Sequence, residues 1–233
     1  MISKIIKKLD YYKVLVQSII FNLRVLPFSQ AKKLPVFVYK LHVVSDLHSG
    51  GVKIESEKIK KGMIKLGIKL TPKYPDTGVK WENNGLVVFK GSCIIGSNSF
   101  ISVGKNGVLT FGDDVVVNST LNIMCARSIT IGNHARFGWE TTIMDTSFHP
   151  LYDMNKKIYI PATRPIKIGD NNWTGMQCLI MPGVETPKHC VFGAKSIVTR
   201  GYNYESYCLY GGTPIHLLKK GVQRILGHDN IDY

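Results

Sequence analysis

The sequence predicts an all-β chain wound as a parallel β-helix, a solenoid of six-residue repeats with a helix at each end. Three observations carry this reading. Apolar anchors recur every six residues, a glycine often follows the anchor, and a small or medium residue stands four places after it. No helix has a period of six and a lone strand has a period of two, so the rhythm describes a short strand plus a corner. Three units close one triangular coil of about eighteen residues, and coils stack as parallel strands about 4.8 Å apart. A β-sandwich would instead alternate with a period of two and irregular spacing.

Residues 1–34 read as a helix and linker. Ile2, Ile5, Ile6, Leu9, Tyr12, Val16, Ile19, Ile20 and Leu23 fall at helical spacing, with Lys4, Lys7, Lys8, Ser18 and Asn22 elsewhere, ahead of Pro27. Such a helix suits capping the open end of the solenoid, and its basic, apolar character also suits an anionic membrane surface. Residues 35–90 read as early, irregular coils in which GMIKLG (Gly62 to Gly67) echoes the repeat. The regular repeat fills 91–200. Phe111, Val117 and Ile123 form one run of anchors, then Ile131, Phe137 and Ile143, then Ile168, Thr174, Ile180, Thr186, Phe192 and Val198. Their smaller partners include Ala135, Thr141, Ser147, Asn172, Cys178, Val184, Cys190 and Ser196. The glycines after the anchors, such as Gly132, Gly138, Gly169 and Gly175, are expected where a turn needs positive φ.

The frame breaks between Ile123 and Ile131, and again at His149. After it, residues 150–167 (PLYDMNKKIYIPATRPIK) make a polar, proline-punctuated loop too long for a routine turn. Residues 201–233 read as a C-terminal segment with a short helix from Ile215 to Leu226, carrying Lys219, Lys220 and Arg224.

Composition narrows the classes. With 233 residues, 44% hydrophobic and 20% charged, the chain is a folded protein rather than a disordered one. No apolar run approaches the roughly 18 residues of a membrane span, and no secretory cleavage pattern follows the N-terminus. Five cysteines without a CxxC pair argue against a disulfide framework or a zinc ribbon and fit a reducing cytosol. Charge is uneven: residues 1–90 hold 17 basic and 6 acidic side chains (net +11), and 91–233 hold 13 and 10 (net +3). That excess points one end at an anionic surface, or simply keeps the protein in solution. No base-stacking motif accompanies the lysines, so a nucleic-acid partner is not expected.

TIGNHARFG (130–138), DTSFHP (145–150), IKIGDNNWTG (166–175), MPGV (181–184), FGAKSIVTR (192–200) and GGTPIHLLKK (211–220) appear in that order. With these motifs the chain resembles the hexapeptide-repeat acyltransferases, in the branch of the maltose, galactoside and nodulation-factor O-acetyltransferases. It is similar also to the capsule and exopolysaccharide acetyltransferases. The resemblance covers about residues 90–220 and implies a left-handed parallel β-helix, a homotrimer, and acyl-CoA bound between neighbouring subunits. His149 matches the family's catalytic histidine, and an imidazole titrating near neutrality is suited to taking a proton from an attacking alcohol. Asn118 aligns with an asparagine that lines the site. Asp145, four residues before His149, is a candidate to orient the ring, with Glu140 a weaker one. Trp173, Met176, Ala194, Thr199, Arg200 and Lys219 match CoA-binding positions. Departures from the family pattern are His216 for an arginine, Asn172 and Thr174 for valine and isoleucine, and Thr186-Pro187 for an Ile-Gly step.

The expected function is an acetyl-CoA-dependent O-acetyltransferase acting on a cell-surface or capsular polysaccharide precursor. It would need no metal and work in the cytoplasm, at the inner face of the membrane if the helix binds there. The alternatives are an N-acetyltransferase of an amino sugar or drug-like amine, and a non-catalytic structural or binding β-helix. A γ-type carbonic anhydrase would need three histidines converging on zinc, and His134, His149 and His189 lack that spacing.

Overall fold

A computed structural model describes residues 2–227. After an N-terminal helix, α1 (Ile2–Val25), the chain visits three faces of a prism in turn. The first face is a sheet of nine strands, the second of seven and the third of five, and all pairs in the prism are parallel except the last of the first face. Anchors stack in columns: Val117 lies beside Ile95 and Phe137, Phe137 beside Thr174, and Thr174 beside Phe192. On the second face Ile123, Ile143, Ile180 and Val198 form the matching column. These side chains are buried, as are the smaller partners Ala135, Thr141, Asn172, Cys178, Val184, Cys190 and Ser196. Ser147 is exposed, because the chain leaves the prism there. The five cysteines are free thiols inside the prism. The region 35–90 is more regular than its sequence suggested. Strands Val36–Val38, Leu41–Val43 and Val52–Ile54 form one complete coil, and Ile64–Ile68, Val79–Asn83 and Leu86–Phe89 another.

The corners correct one expectation. Over the regular repeat the glycine after the anchor is not the residue with positive φ, Gly67 in the early coils being an exception; that conformation falls two positions later, on Asn98, Asp114, His134, Glu140, Asn171, Gln177 and Lys195. The glycine is needed for close approach between coils. A Cβ on Gly138 would lie 2.5 Å from the carbonyl carbon of Gly175, and one on Gly175 would lie 2.6 Å from the nitrogen of Ala194.

Two of the inward polar residues, Asn172 and Thr186, find partners within the chain, whereas the buried Thr174 hydroxyl has none among the described residues. Asn172 donates through Nδ2 to the Thr186 hydroxyl at 2.6 Å and accepts the Cys190 N–H at 2.6 Å. Thr186 Oγ1 also accepts the Gly169 N–H at 3.2 Å. Two departures from the family pattern are thus one complementary pair, and the buried amide is satisfied without any contact across a symmetry axis.

The two ends differ. Helix α1 packs on the first coil as expected of a cap, burying Phe21 and Val25 and presenting polar side chains to its edge strand. Asn22 donates to the Val36 carbonyl at 2.7 Å and accepts the Val36 N–H at 3.2 Å, while Ser18 Oγ accepts the Val38 N–H at 3.0 Å. The side chains of residues 2–9, including Ile2, Ile5, Ile6 and Leu9 of the expected apolar stripe, lie outside the described residues. Among the described residues no helix is long and apolar enough to cross a membrane. At the other end the expected helix from Ile215 is absent. His216–Lys220 is a strand that turns back antiparallel on Cys208–Gly211. An open ladder edge offers hydrogen bonds at once, whereas a lone helix of about twelve residues is marginal. Gly221, at φ +73°, would also interrupt such a helix.

Candidate active site

The sequence DTSFHP leaves the prism by a route its side chains dictate. Asp145 is fully buried, and its carboxylate accepts the backbone N–H groups of Ala126 (2.7 Å), Arg127 (2.8 Å) and Ser128 (2.7 Å). It therefore holds the corner of the preceding coil, at the break between Ile123 and Ile131. With its carboxylate committed to that corner, Asp145 forms no hydrogen bond with the His149 ring. Thr146 Oγ1 accepts the Phe148 N–H at 2.9 Å, Phe148 takes positive φ, and Ser147 Oγ donates to the His149 carbonyl at 3.1 Å. The chain then runs out as a hairpin, with Leu151–Asp153 antiparallel to Ile158–Ile160, and rejoins the third face at Ile166. Its neck is closed by Ser147 N–H to Ala162 O (2.9 Å) and Arg164 N–H to Asp145 O (2.8 Å).

His149 sits at the base of this hairpin with its ring exposed and without a hydrogen bond to the described residues. It lines a cavity of about 340 Å³ at the corner between the second and third faces, together with Arg164, Met181, Thr199 and Arg200. Two of the expected CoA contacts, Thr199 and Arg200, are therefore beside the imidazole. The hairpin, though polar at its turn, leaves several large apolar side chains uncovered, with Met154 78% and Tyr159 71% exposed.

The remaining candidates gather elsewhere. A cavity of about 740 Å³ at the corner between the first and second faces is lined by Asn118, Trp139, Trp173, Met176, Lys219 and Arg224, among others. No residue lines both cavities. Asn118 hangs its amide here from the turn after Val117. Trp173 points outward from its strand, with the Arg224 guanidinium carbon 5.2 Å from the ring centroid. Gly138 and Gly175 line the cavity at the corner, and Ala194, next in that ladder, is exposed but does not line it. The lining holds cations and apolar surface but no carboxylate, which suits a phosphorylated, partly apolar ligand such as acyl-CoA. His216 is not part of it; its Nδ1 lies 3.2 Å from the Pro214 carbonyl.

Trp139 and Arg224 were not expected at a site. Trp139 directly follows the corner glycine Gly138, and an aromatic side chain at such an outward position was the available signal. Arg224 was assigned to a helix that does not form, so its place across the first face could not be read. Glu140 does not approach the imidazole through any hydrogen bond. It accepts from the Tyr74 hydroxyl and, at 2.5 Å, from Gln177 Nε2.

No family model matches the chain. It is similar to a galactoside O-acetyltransferase of Lactococcus lactis subsp. lactis, 34% identical over 113 residues, which are 46% of this chain and 53% of that protein. A lipopolysaccharide biosynthesis O-acetyl transferase of Escherichia coli K12, itself an assignment by inference, is 28% identical over 147 residues, 60% of this chain and 74% of that one. The crystal structure of a polySia-specific acetyltransferase superimposes with a TM-score of 0.52 at 22% identity, covering 83% of this chain and 79% of the other. The chain spans about half the length of the curated relatives it matches first. The resemblance to the hexapeptide-repeat acetyltransferases thus extends to named relatives, and the prism is the left-handed parallel β-helix of those proteins.

Proposed function

We propose that the protein is an acetyl-CoA-dependent O-acetyltransferase of a saccharide hydroxyl, active as a homotrimer with each site shared between two copies. One observation supports this reading: the candidate residues gather at two cavities on different corners. His149 lies at one, and Asn118, Trp173 and Lys219 lie at the other, with no residue in common. A cyclic arrangement brings the second-to-third corner of one copy against the first-to-second corner of the next, and three such contacts close. The uncovered apolar side chains of the hairpin beside His149 supply surface for that contact.

In the closed site, Lys219 and Arg200 would hold phosphate and the glycine ladder would let the extended donor lie close to the backbone. His149 would take the proton of the acceptor hydroxyl as its oxygen attacks the thioester carbonyl carbon. The carbon–sulfur bond would then break, and the imidazolium would return the proton to the leaving thiolate. Asn118 would donate from its amide to the oxyanion or hold the acceptor. The saccharide acceptors named for its relatives support the choice of acceptor class.

Mixing experiments test the sharing. His149→Ala and Trp173→Ala chains are each inactive alone, and random trimers of the two regain about a quarter of wild-type activity, because one site in four draws both intact halves. Mixtures as dead as their parents would retire the shared site.

Helix α1 adds a place of work, near a membrane carrying a lipid-linked glycan. Opposite its packed side, Tyr12, Val16, Ile20 and Leu23 are each at least half exposed, flanked by Lys13 and Arg24. Because Ser18 and Asn22 secure the first coil, removing the helix would confound the test. Val16→Ser, Ile20→Ser and Leu23→Ser together keep the cap and should abolish flotation with anionic liposomes. Equal flotation by both chains, or by neither, would end this reading.

A further inference from the structure

Ten residues, 69–78, separate the strand that ends at Ile68 from the one that starts at Val79. This insert descends the first-to-second corner. Ser97 Oγ donates to the Pro75 carbonyl at 3.3 Å, and Lys40 Nζ donates to Asp76 Oδ2 at 2.7 Å. Tyr74 then reaches Glu140, whose other oxygen accepts from Gln177 Nε2 at 2.5 Å. Two coil corners lie between these attachment points, at 96–98 and 118–120, so the insert passes over the coil that carries Asn118.

The insert places one cation unusually. Lys73 Nζ stands 4.9 Å from the Tyr74 ring centroid and 5.1 Å from that of Trp139. It forms no ion pair with the described residues, and both oxygens of the nearby Glu140 already accept hydrogen bonds. Tyr74, the Trp139 ring and the charge of Glu140 together hold the ammonium, which remains exposed. Trp139 lines the Asn118 cavity, and its indole N–H is buried without a partner. A held, exposed cation against an aromatic wall of the Asn118 cavity is suited to recognising an anionic group on a ligand entering there. The donor's phosphates have other cations: Lys219 and Arg224 line the cavity, whereas Lys73 stands outside that lining and meets it through the Trp139 ring.

We propose that the 69–78 insert is the acceptor-selecting element, and that Lys73 recognises a carboxylate on the saccharide to be acetylated. This rests on the acetyl-transfer reading and adds the acceptor's charge class to it.

The test compares one oligosaccharide containing a uronic or sialic acid with its carboxyl-reduced, neutral analogue. Both are assayed with acetyl-CoA by thiol release. Wild-type enzyme should favour the acidic acceptor in kcat/KM, and Lys73→Gln should reduce that ratio about tenfold, through the acceptor KM. Lys73→Arg should restore most of it. The proposal is overturned if wild type treats the two acceptors alike, or if Lys73→Gln raises the KM for acetyl-CoA instead. If wild type acetylates neither saccharide, the saccharide acetyltransferase reading fails and this inference falls with it. Acetylation of both at equal rates sinks only the inference.

Discussion

Two carboxylates on one coil, Glu140 and Asp145, occupy successive corners and do opposite work. Asp145 is fully buried and faces three backbone N–H groups of the coil before it. Glu140 lies at the surface and accepts only from side chains, those of Tyr74 and Gln177. A carboxylate whose partners are backbone amides holds the scaffold. One that joins a side chain of an insertion to a side chain of the next coil holds the insertion. Both stood near His149 in sequence, and neither is bonded to it.

The comparison can be broken at its strongest point first. Replacing His149 by Ala should lower kcat by about 10²–10⁴-fold while leaving the melting temperature unchanged, since its exposed ring holds nothing in place. Asp145→Asn should do the reverse, because an amide turns a donor toward backbone donors. About 3 kcal/mol of stability should be lost, seen as a lower midpoint in urea, with KM for both substrates retained by the folded fraction. Loss of kcat with stability intact would instead make Asp145 the ring's orienter. At the other corner, Gly138→Ala should cost about 1–3 kcal/mol, because the added methyl meets the backbone of Gly175.

The smallest effect belongs to Glu140. Hydrogen bonds from the Tyr74 hydroxyl and then from Gln177 hold its carboxyl below the usual glutamate range. The insert's attachment is therefore complete above that range and is lost as pH falls through the lowered value. Trypsin cleavage at Lys69 or Lys73, after brief acid exposure and return to assay pH in a slowly refolding sample, is a poor reporter; pepsin, active in acid, reads it directly. Cleavage within 69–78 should rise only below the ordinary glutamate range, and Glu140→Gln should flatten that dependence.

Much of the prism was legible because a hexad is an unusual period. Phe111, Val117 and Ile123 could only be inward anchors of short strands, and they are. His149 could be singled out because the rhythm stops there. The loop after it was visible as a loop, but its hairpin was not, since Leu151–Asp153 and Ile158–Ile160 pair through a turn with no glycine. The purpose of Asp145 was hidden because the N–H groups it binds lie 17 to 19 residues upstream. The C-terminal strand was missed for a different reason. Leu217, Leu218 and Val222 fit a helical face, and the pull of an unpaired edge at Leu209 is set by tertiary structure rather than by local spacing. Gly221 was the one local sign against the helix.

The fittings at Val36 and Val38 bear on more than one molecule's stability. Evenly spaced parallel strands are the geometry of a fibre, which grows when a raw edge recruits another chain. Ser18 and Asn22 occupy the hydrogen-bonding groups such a recruit would use. At the far end the last described strand runs the wrong way to template another parallel turn. Both described edges of the stack therefore resist recruiting a second chain.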